Sequence, residues 1–246
     1  MTRTPYQGLV QIFNYNRAFY LRTGAGVIAA ILLSVCVSPA VRALLLLAAG
    51  TAVFWTCSSL LVSHYVYDRS SLYRLGWLPG CLSRTPVRWI SMHAGIDEMS
   101  LAIGSTFPGS EGQIIDIYDP HEMTEASIKR ARYVAGVASI SADRQRLAAA
   151  DEEFDAAFLI FSGHELRHHE ARVRLFREIR RVLRARGEVI LVEHLRDWAN
   201  FLAFGPGCLH FFPARTWQDA ANAAGLPLRL RRTVTPFVHV FVLQKQ

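Results

Sequence analysis

The feature that most constrains this chain is a pair of apolar stretches close to its start. From Thr23 to Val41 no residue is charged, and from Ala43 to Tyr67 His64 is the sole side chain that could carry charge near neutral pH. Crossing a bilayer takes roughly 20 apolar residues at about 1.5 Å of rise each, so each run is long enough to span. Ser38-Pro39 interrupts them and Arg42 stands in the turn, which predicts a helical hairpin over residues 1–68. Gly24 and Gly26 are small residues of the kind that let spans approach closely, and Tyr65 and Tyr67 suit the headgroup interface. Arg3, Arg17 and Arg22 precede the first run, and Arg69 and Arg74 follow the second. The positive-inside bias therefore predicts an integral protein of an inner or plasma membrane, with both hairpin ends and everything downstream in the cytoplasm. A cleaved signal peptide fits less well, because a second span follows at once, and two buried helices of a soluble protein are the other alternative.

Composition agrees with a chain of two environments. Over 246 residues, 51% are hydrophobic while 19% are charged, and the apolar excess lies before Asp68. Residues 69–85 read as a linker and 86–246 as a globular domain. The net charge of +7 comes mostly from Arg in helix-like segments and beside the apolar runs, without interleaved aromatics. Anionic lipid headgroups suit that pattern better than nucleic acid. The four cysteines show neither metal-ligand nor disulfide-framework spacing, which fits a reducing compartment.

Within 86–246, strand-like and helix-like segments alternate. Strands are predicted over 87–92, 113–118, 137–141, 154–161 and 188–193. Helices are predicted over 97–107, from Pro120 to about 134, over 165–184 and over 216–224, and residues 228–243 read as an antiparallel terminal pair broken at Pro236. Such alternation implies an α/β fold with a mostly parallel sheet covered by helices on both faces. Ligands in these sheets bind beyond the carboxyl ends of the strands. One crevice should therefore gather residues 91–97, 116–119, 141–143, 161–165 and 193–197.

The run Phe154-Asp155-Ala156-Ala157, the segment from Leu175 to Leu183 and the segment from Arg186 to Glu193 resemble the fourth strand, following helix and fifth strand of class I S-adenosylmethionine-dependent methyltransferases. Ala223-Ala224-Gly225-Leu226 is similar too. The resemblance, of the methyltransferase type 11 kind, covers about residues 86–244. It implies a Rossmann-like fold with a seven-stranded sheet and a C-terminal antiparallel hairpin, S-adenosylmethionine as cofactor, and methyl transfer as the reaction.

The cofactor loop departs from the family pattern of an acid followed by three glycines. Here the turn runs Ser91-Met92-His93-Ala94-Gly95-Ile96-Asp97, which keeps only Gly95. Either Ser91, His93, Gly95 and Asp97 form a rebuilt pocket for the cofactor's amino-acid end, or binding is lost and the domain engages a partner. The ribose acid is Asp116 or Asp119, with Tyr118 between them. Asp143 corresponds to the adenine contact or is a turn cap. Phe161 and Ser162 complete the cofactor set.

Beyond it lie more histidines and carboxylates than positioning requires. His164, Glu165, Glu193 and His194 are candidates for a base that deprotonates a hydroxyl or phenol. His164 and His168, four apart, are expected on one helix face. His168, Arg196, Phe204, Gly205 and His210 are expected around the acceptor. A divalent metal is conceivable among these groups but not favoured. The segment 200–212 packs aromatics and leucines around Gly205-Pro206-Gly207, as core packing or as an apolar lid for a lipophilic acceptor such as a quinone, isoprenoid or lipid. A metal-assisted modification of a membrane quinone and a non-catalytic membrane scaffold are the rival functions.

Overall fold

The computed structural model describes residues 4–95, 97–123, 128–130, 132, 140–141 and 146–246. The chain divides into two compact units, Met1–Ser70 with Trp198–Cys208, and Ser71–Asp197 with Leu209–Gln246.

The first unit contains helices α1 (Gln7–Tyr15), α2 (Arg17–Ser34) and α3 (Pro39–His64). Pro39 opens α3 at its first turn, where a missing N–H costs nothing. The predicted first span ran on to Val41, but α2 stops at Ser34, where the Val35 and Cys36 amides close a tighter turn on the Leu32 and Leu33 carbonyls, and Ser38, directly before Pro39, is extended. Its beginning instead reaches back to Arg17. The Arg42 side chain donates to the Ser34 carbonyl (2.8 Å), tying the turn to the end of α2 where a cation is favoured. α1 was not foreseen. Its start is capped from a distance, since the buried Asp68 carboxylate accepts from the Gly8 and Leu9 amides (2.6 and 3.0 Å) and lies 2.9 Å from His64 Nδ1. Both α2 and the helix beginning at Pro39 are long and apolar enough to cross a membrane, and only 6% of each apolar window is buried within the structure.

In the second unit, six strands of at least six residues and one two-residue edge strand form a single sheet. They are β1 (Arg88–His93), β2 (Glu111–Asp116), β3 (Ile140–Ser141), β4 (Phe154–Ile160), β5 (Leu183–His194), β6 (Leu228–Thr235) and β7 (Val238–Gln244). The order is β3-β2-β1-β4-β5-β7-β6. The first five strands run parallel, and β7 lies antiparallel to both β5 and β6. Residues Phe154 to Leu159 of β4 are all buried, as both faces of a covered parallel strand should be. α4 (Ser100–Thr106), α5 (His169–Val182) and α6 (Ala214–Ala223) accompany the sheet. α5 contributes Leu175, Phe176, Ile179 and Val182 to the core.

The supposed linker is folded from Ser71 onward. Leu72, Leu75, Leu78 and Cys81 are wholly buried, and the Ser83 amide and hydroxyl donate to the Glu188 carboxylate (2.7 and 2.8 Å). Their three-residue spacing was the overlooked signal. Arg186-Gly187 does not end a helix either. α5 stops at Val182 and β5 starts at Leu183, so Arg186, with φ of 60°, sits in an irregularity between the Phe154↔Leu183 and Ala156↔Glu188 pairings. Asp155 locks this end of the sheet. It accepts from the Val87 and Arg88 amides (2.9 and 3.0 Å) and pairs with Arg84 and Arg184. Burial pushes its carboxyl up, but those donors outweigh burial and hold it below the usual range.

Candidate active site

The parallel register brings the carboxyl ends of four neighbouring strands to one sheet edge. His93 pairs with Asp116 across β1 and β2, while β4 and β5 deliver Phe161-Ser162 and Glu193-His194 beside them. The Ser162 hydroxyl donates to the Met92 carbonyl (2.8 Å), pinning the turn after β4 to β1.

On the β1/β2 side the polar groups are buried and incompletely satisfied. His93 is 8% exposed, and neither ring nitrogen has a hydrogen-bond partner among the described residues. Burial lowers its pKa against the upward pull of Asp116 and Asp97, so the ring is neutral. Asp97 Oδ1 accepts from the Met99 and Ser100 amides (3.1 and 2.9 Å), capping α4, while its buried Oδ2 and the Ser100 hydroxyl find no partner among the described residues. Ser91 is buried one pleat before His93. Asp116 Oδ2 lies 2.6 Å from Arg132, and Oδ1 accepts from the Tyr118 amide (2.9 Å). The Arg132 guanidinium also donates to the Ala94 carbonyl (3.2 Å) and lies over the Tyr118 ring at 4.0 Å. Arg132 was overlooked in the sequence, where it reads as one of several basic residues on a helix. Asp119 caps its own turn through the His121 amide (2.8 Å). Of the two candidate acids, Asp116 is therefore the one at the strand end. Asp143 lies outside the described residues.

On the β4/β5 side a histidine is clamped by carboxylates. His164, in the tight turn Gly163–Glu165, places Nδ1 2.7 Å from Glu193 Oε2, and its amide donates to Glu193 Oε1 (3.2 Å). Glu193 is 1% exposed, and His164 Nε2 lies 3.5 Å from Glu165 Oε1. Burial works against protonation of this imidazole, yet the Glu193 charge and hydrogen bond, helped by Glu165, raise its pKa to about 9. The His210 ring meets that of His164 edge-on, with centroids 5.2 Å apart. Burial, then the charges of His164 and Arg167, press the pKa of His210 down to about 3. Two histidines in contact thus favour opposite protonation states, the arrangement that separates acid from base roles. Gly163 leaves no room for a larger residue, since a Cβ there would sit 3.1 Å from Glu193 Oε1, Leu159 and Trp217.

His194 is stacked between Phe161 (5.3 Å) and Phe211 (5.0 Å). Phe161 holds φ of 50°, an unfavourable conformation for a bulky residue and one concentrated at functional turns. Arg167 donates to the His210 carbonyl (2.8 Å) and covers the Phe212 ring at 4.5 Å. Arg167 did not stand out in the sequence, and Phe211 did so only as one aromatic of the segment 200–212.

The expected acceptor residues disperse. His168 does not share a helix face with His164, because His164 occupies the turn before α5 and His168 precedes its first residue. It is exposed and lies 3.8 Å from Glu122. Arg196 braces the chain instead, donating to the Phe211 and Leu209 carbonyls (3.0 and 2.7 Å). Phe204 and Gly205 belong to the first unit, where Gly205 packs against Trp55. Only His210 joins the candidate base.

The methyltransferase-domain family (Methyltransf_11) matches residues 110–191. No curated protein is significantly similar in sequence. A Methanosarcina mazei S-adenosylmethionine-dependent methyltransferase aligns at 17% identity over 69% of this chain and 97% of its own, with a TM-score of 0.50. An Aquifex aeolicus S-adenosylmethionine-dependent methyltransferase aligns at 15% identity over 73% and 94%, with a TM-score of 0.53. PigF, solved with S-adenosylhomocysteine, aligns at 14% identity over 100% and 75%, with a TM-score of 0.56. The chain thus has the fold of S-adenosylmethionine-dependent methyltransferases, and its residues 110–191 match the methyltransferase-domain family in sequence.

Proposed function

We propose that the chain methylates a hydroxyl or phenol on a lipophilic acceptor, a quinone, isoprenoid or lipid, from a position anchored in the membrane with its catalytic unit in the cytoplasm. The observation that carries the chemistry is the His164–Glu193 pair at the ends of two central strands, and the nearly bare apolar helices α2 and α3 support the anchor.

The residues present suit the cofactor despite the missing glycines. His93, Asp97 Oδ2 and the Ser100 hydroxyl are buried polar groups without partners among the described residues. Leaving such groups unsatisfied is costly, so they favour a ligand bearing both an ammonium and a carboxylate. In this reading Asp116 takes the ribose hydroxyls, and each of its oxygens retains a lone pair beyond the bonds to Arg132 and Tyr118. Bound there, S-adenosylmethionine supplies an electrophilic methyl group.

His164 accepts the acceptor's proton on Nε2, while Glu193 fixes Nδ1 as the protonated nitrogen and stabilises the imidazolium. Neutral His210 lies against the same ring and excludes water together with Phe211 and Phe212. Alignment in such a dry pocket can supply much of the rate.

The test is transfer of label from methyl-tritiated S-adenosylmethionine into the organic-extractable fraction of membranes holding the full chain. Label in a quinone or lipid band supports the reading. Cofactor binding without transfer to any extract contradicts the acceptor class, and absence of both favours a non-catalytic scaffold. A second reading rests on one observation. Ligand atoms of His164, Glu165 and His210 lie within 4.8 Å of one another, a set able to hold a divalent ion while Glu193 orients His164. Metal analysis of the purified protein separates the two.

A further inference from the structure

Between Trp198 and Leu209 the chain carries no charged residue, although Arg196 and Asp197 precede this stretch and His210 follows it. Residues 198–208 cluster with the helical hairpin rather than with the sheet. The contact is made partway along α3. The Phe201 ring meets Trp55 edge-on at 5.7 Å, and the Ser58 hydroxyl donates to the Leu202 carbonyl (3.3 Å). Gly205 (φ of 55°) presses its backbone on the Trp55 indole so closely that a Cβ would lie 2.7 Å from Cε2.

These contacts fix a depth. α3 has 26 residues, about 39 Å at 1.5 Å each, against a hydrocarbon thickness of about 30 Å. Arg42 bounds its uncharged stretch on one side and His64 with Asp68 on the other. With the boundary set at Val62, Ser58 lies roughly 6 Å and Trp55 roughly 10 Å inside the apolar layer. Side chains in van der Waals contact with them cannot lie at the aqueous surface. The segment is built for that level. Asn200, Ala203 and Cys208 are buried, whereas Trp198 (79% exposed) and Leu202 (61%) point outward. Its backbone is helical, over Trp198–Phe204 and then in a 3-10 turn, so little of it asks for water.

We infer that residues 198–208 form a lipid-embedded element, immersed in the acyl chains of the cytoplasmic leaflet beside α3. The inference rests on the membrane reading of α2 and α3. It deepens the proposed function, because an acceptor dissolved in the bilayer is presented to this element at lipid depth, without passing through water.

The test uses the full chain with Cys36 and Cys57 replaced by Ser, reconstituted in phosphatidylcholine–phosphatidylglycerol vesicles. Spin labels are placed at Leu202→Cys and, separately, at Leu47→Cys in α3. Both labels should collide with oxygen far more than with a nickel chelate, with the 202 label about 5–10 Å below the headgroups. A nickel-accessible label at 202 beside a protected label at 47 overturns the inference and leaves the spans intact. Nickel access at both removes the membrane reading itself. Trp198→Phe, which needs no label, should remove a component of tryptophan fluorescence quenched by lipids brominated near the headgroup, and unchanged quenching also refutes the placement.

Discussion

Glu193→Gln isolates the interaction on which the proposed chemistry depends. In the native chain Glu193 takes hydrogen bonds from both the amide and the ring of His164, and the pKa of His164 rises from 6.5 to about 9. That difference corresponds to about 3 kcal/mol of preference for the imidazolium, at 1.36 kcal/mol per unit. A folded-state pKa above the unfolded value means that this stabilisation is complete below about pH 6.5 and disappears as the pH climbs through about 9. The full chain in detergent should therefore lose up to about 3 kcal/mol between pH 6.5 and 9, and Glu193→Gln should flatten that slope. Methyl transfer should show the complementary profile. With neutral His164 as the base, turnover should rise about tenfold per pH unit below pH 9, whereas the variant should level off near or below 6.5, with a weaker base. Carbon-13 histidine spectra read the residue directly, with His164→Gln identifying the resonance. A native His164 titrating near 6.5, or one unmoved by Glu193→Gln, refutes the reasoning.

His93→Phe should weaken S-adenosylmethionine binding at least tenfold in calorimetry while leaving the unliganded protein as stable or more so, because a buried imidazole whose nitrogens find no hydrogen-bond partner among the described residues is lost. Equal affinity would remove His93 from the pocket. Asp116→Ala should also cost at least tenfold in affinity, and unchanged binding would exclude it as the ribose ligand. Deleting residues 1–68 should leave a domain that aggregates, since Phe201 and Gly205 lose the Trp55 ring they pack on, and further replacement of 198–208 by a short polar linker should restore solubility in a sedimentation assay.

The parallel sheet was legible because its strands are short apolar runs ending in polar residues, and β4 and β5 are so continuous that burial on both faces follows from composition. The clamp on His164 was legible in part. His164 and Glu193 were both singled out at strand ends, but nothing in a linear sequence shows that one carboxylate takes both the amide and the ring of the same residue. What escaped was long-range pairing. Arg132 reaches Asp116 from beyond the strand that carries it, Arg196 braces a turn 13–15 residues away, and Glu188 gathers Ser83 and Arg229 from opposite ends of the domain. The segment 69–85 was misread because its apolar residues come one or two at a time among Gly, Ser and Arg, a pattern that resembles a linker until they converge in one core. The apolar segment after β5 was recognised as unusual, yet its partner, α3, lies more than 140 residues earlier in the chain.

In the proposed reading, a turn with one glycine in place of three still forms a cofactor pocket, with His93, Asp97 Oδ2 and the Ser100 hydroxyl taking the place of the missing backbone approach. Calorimetric titration of S-adenosylmethionine into the detergent-purified full chain, at pH 7.5 and with chelator present, tests this most directly. Binding in the micromolar range, lost in His93→Phe, is the predicted result. Absence of heat and of any thermal stabilisation at millimolar cofactor would contradict it and leave a methyltransferase fold without its cofactor.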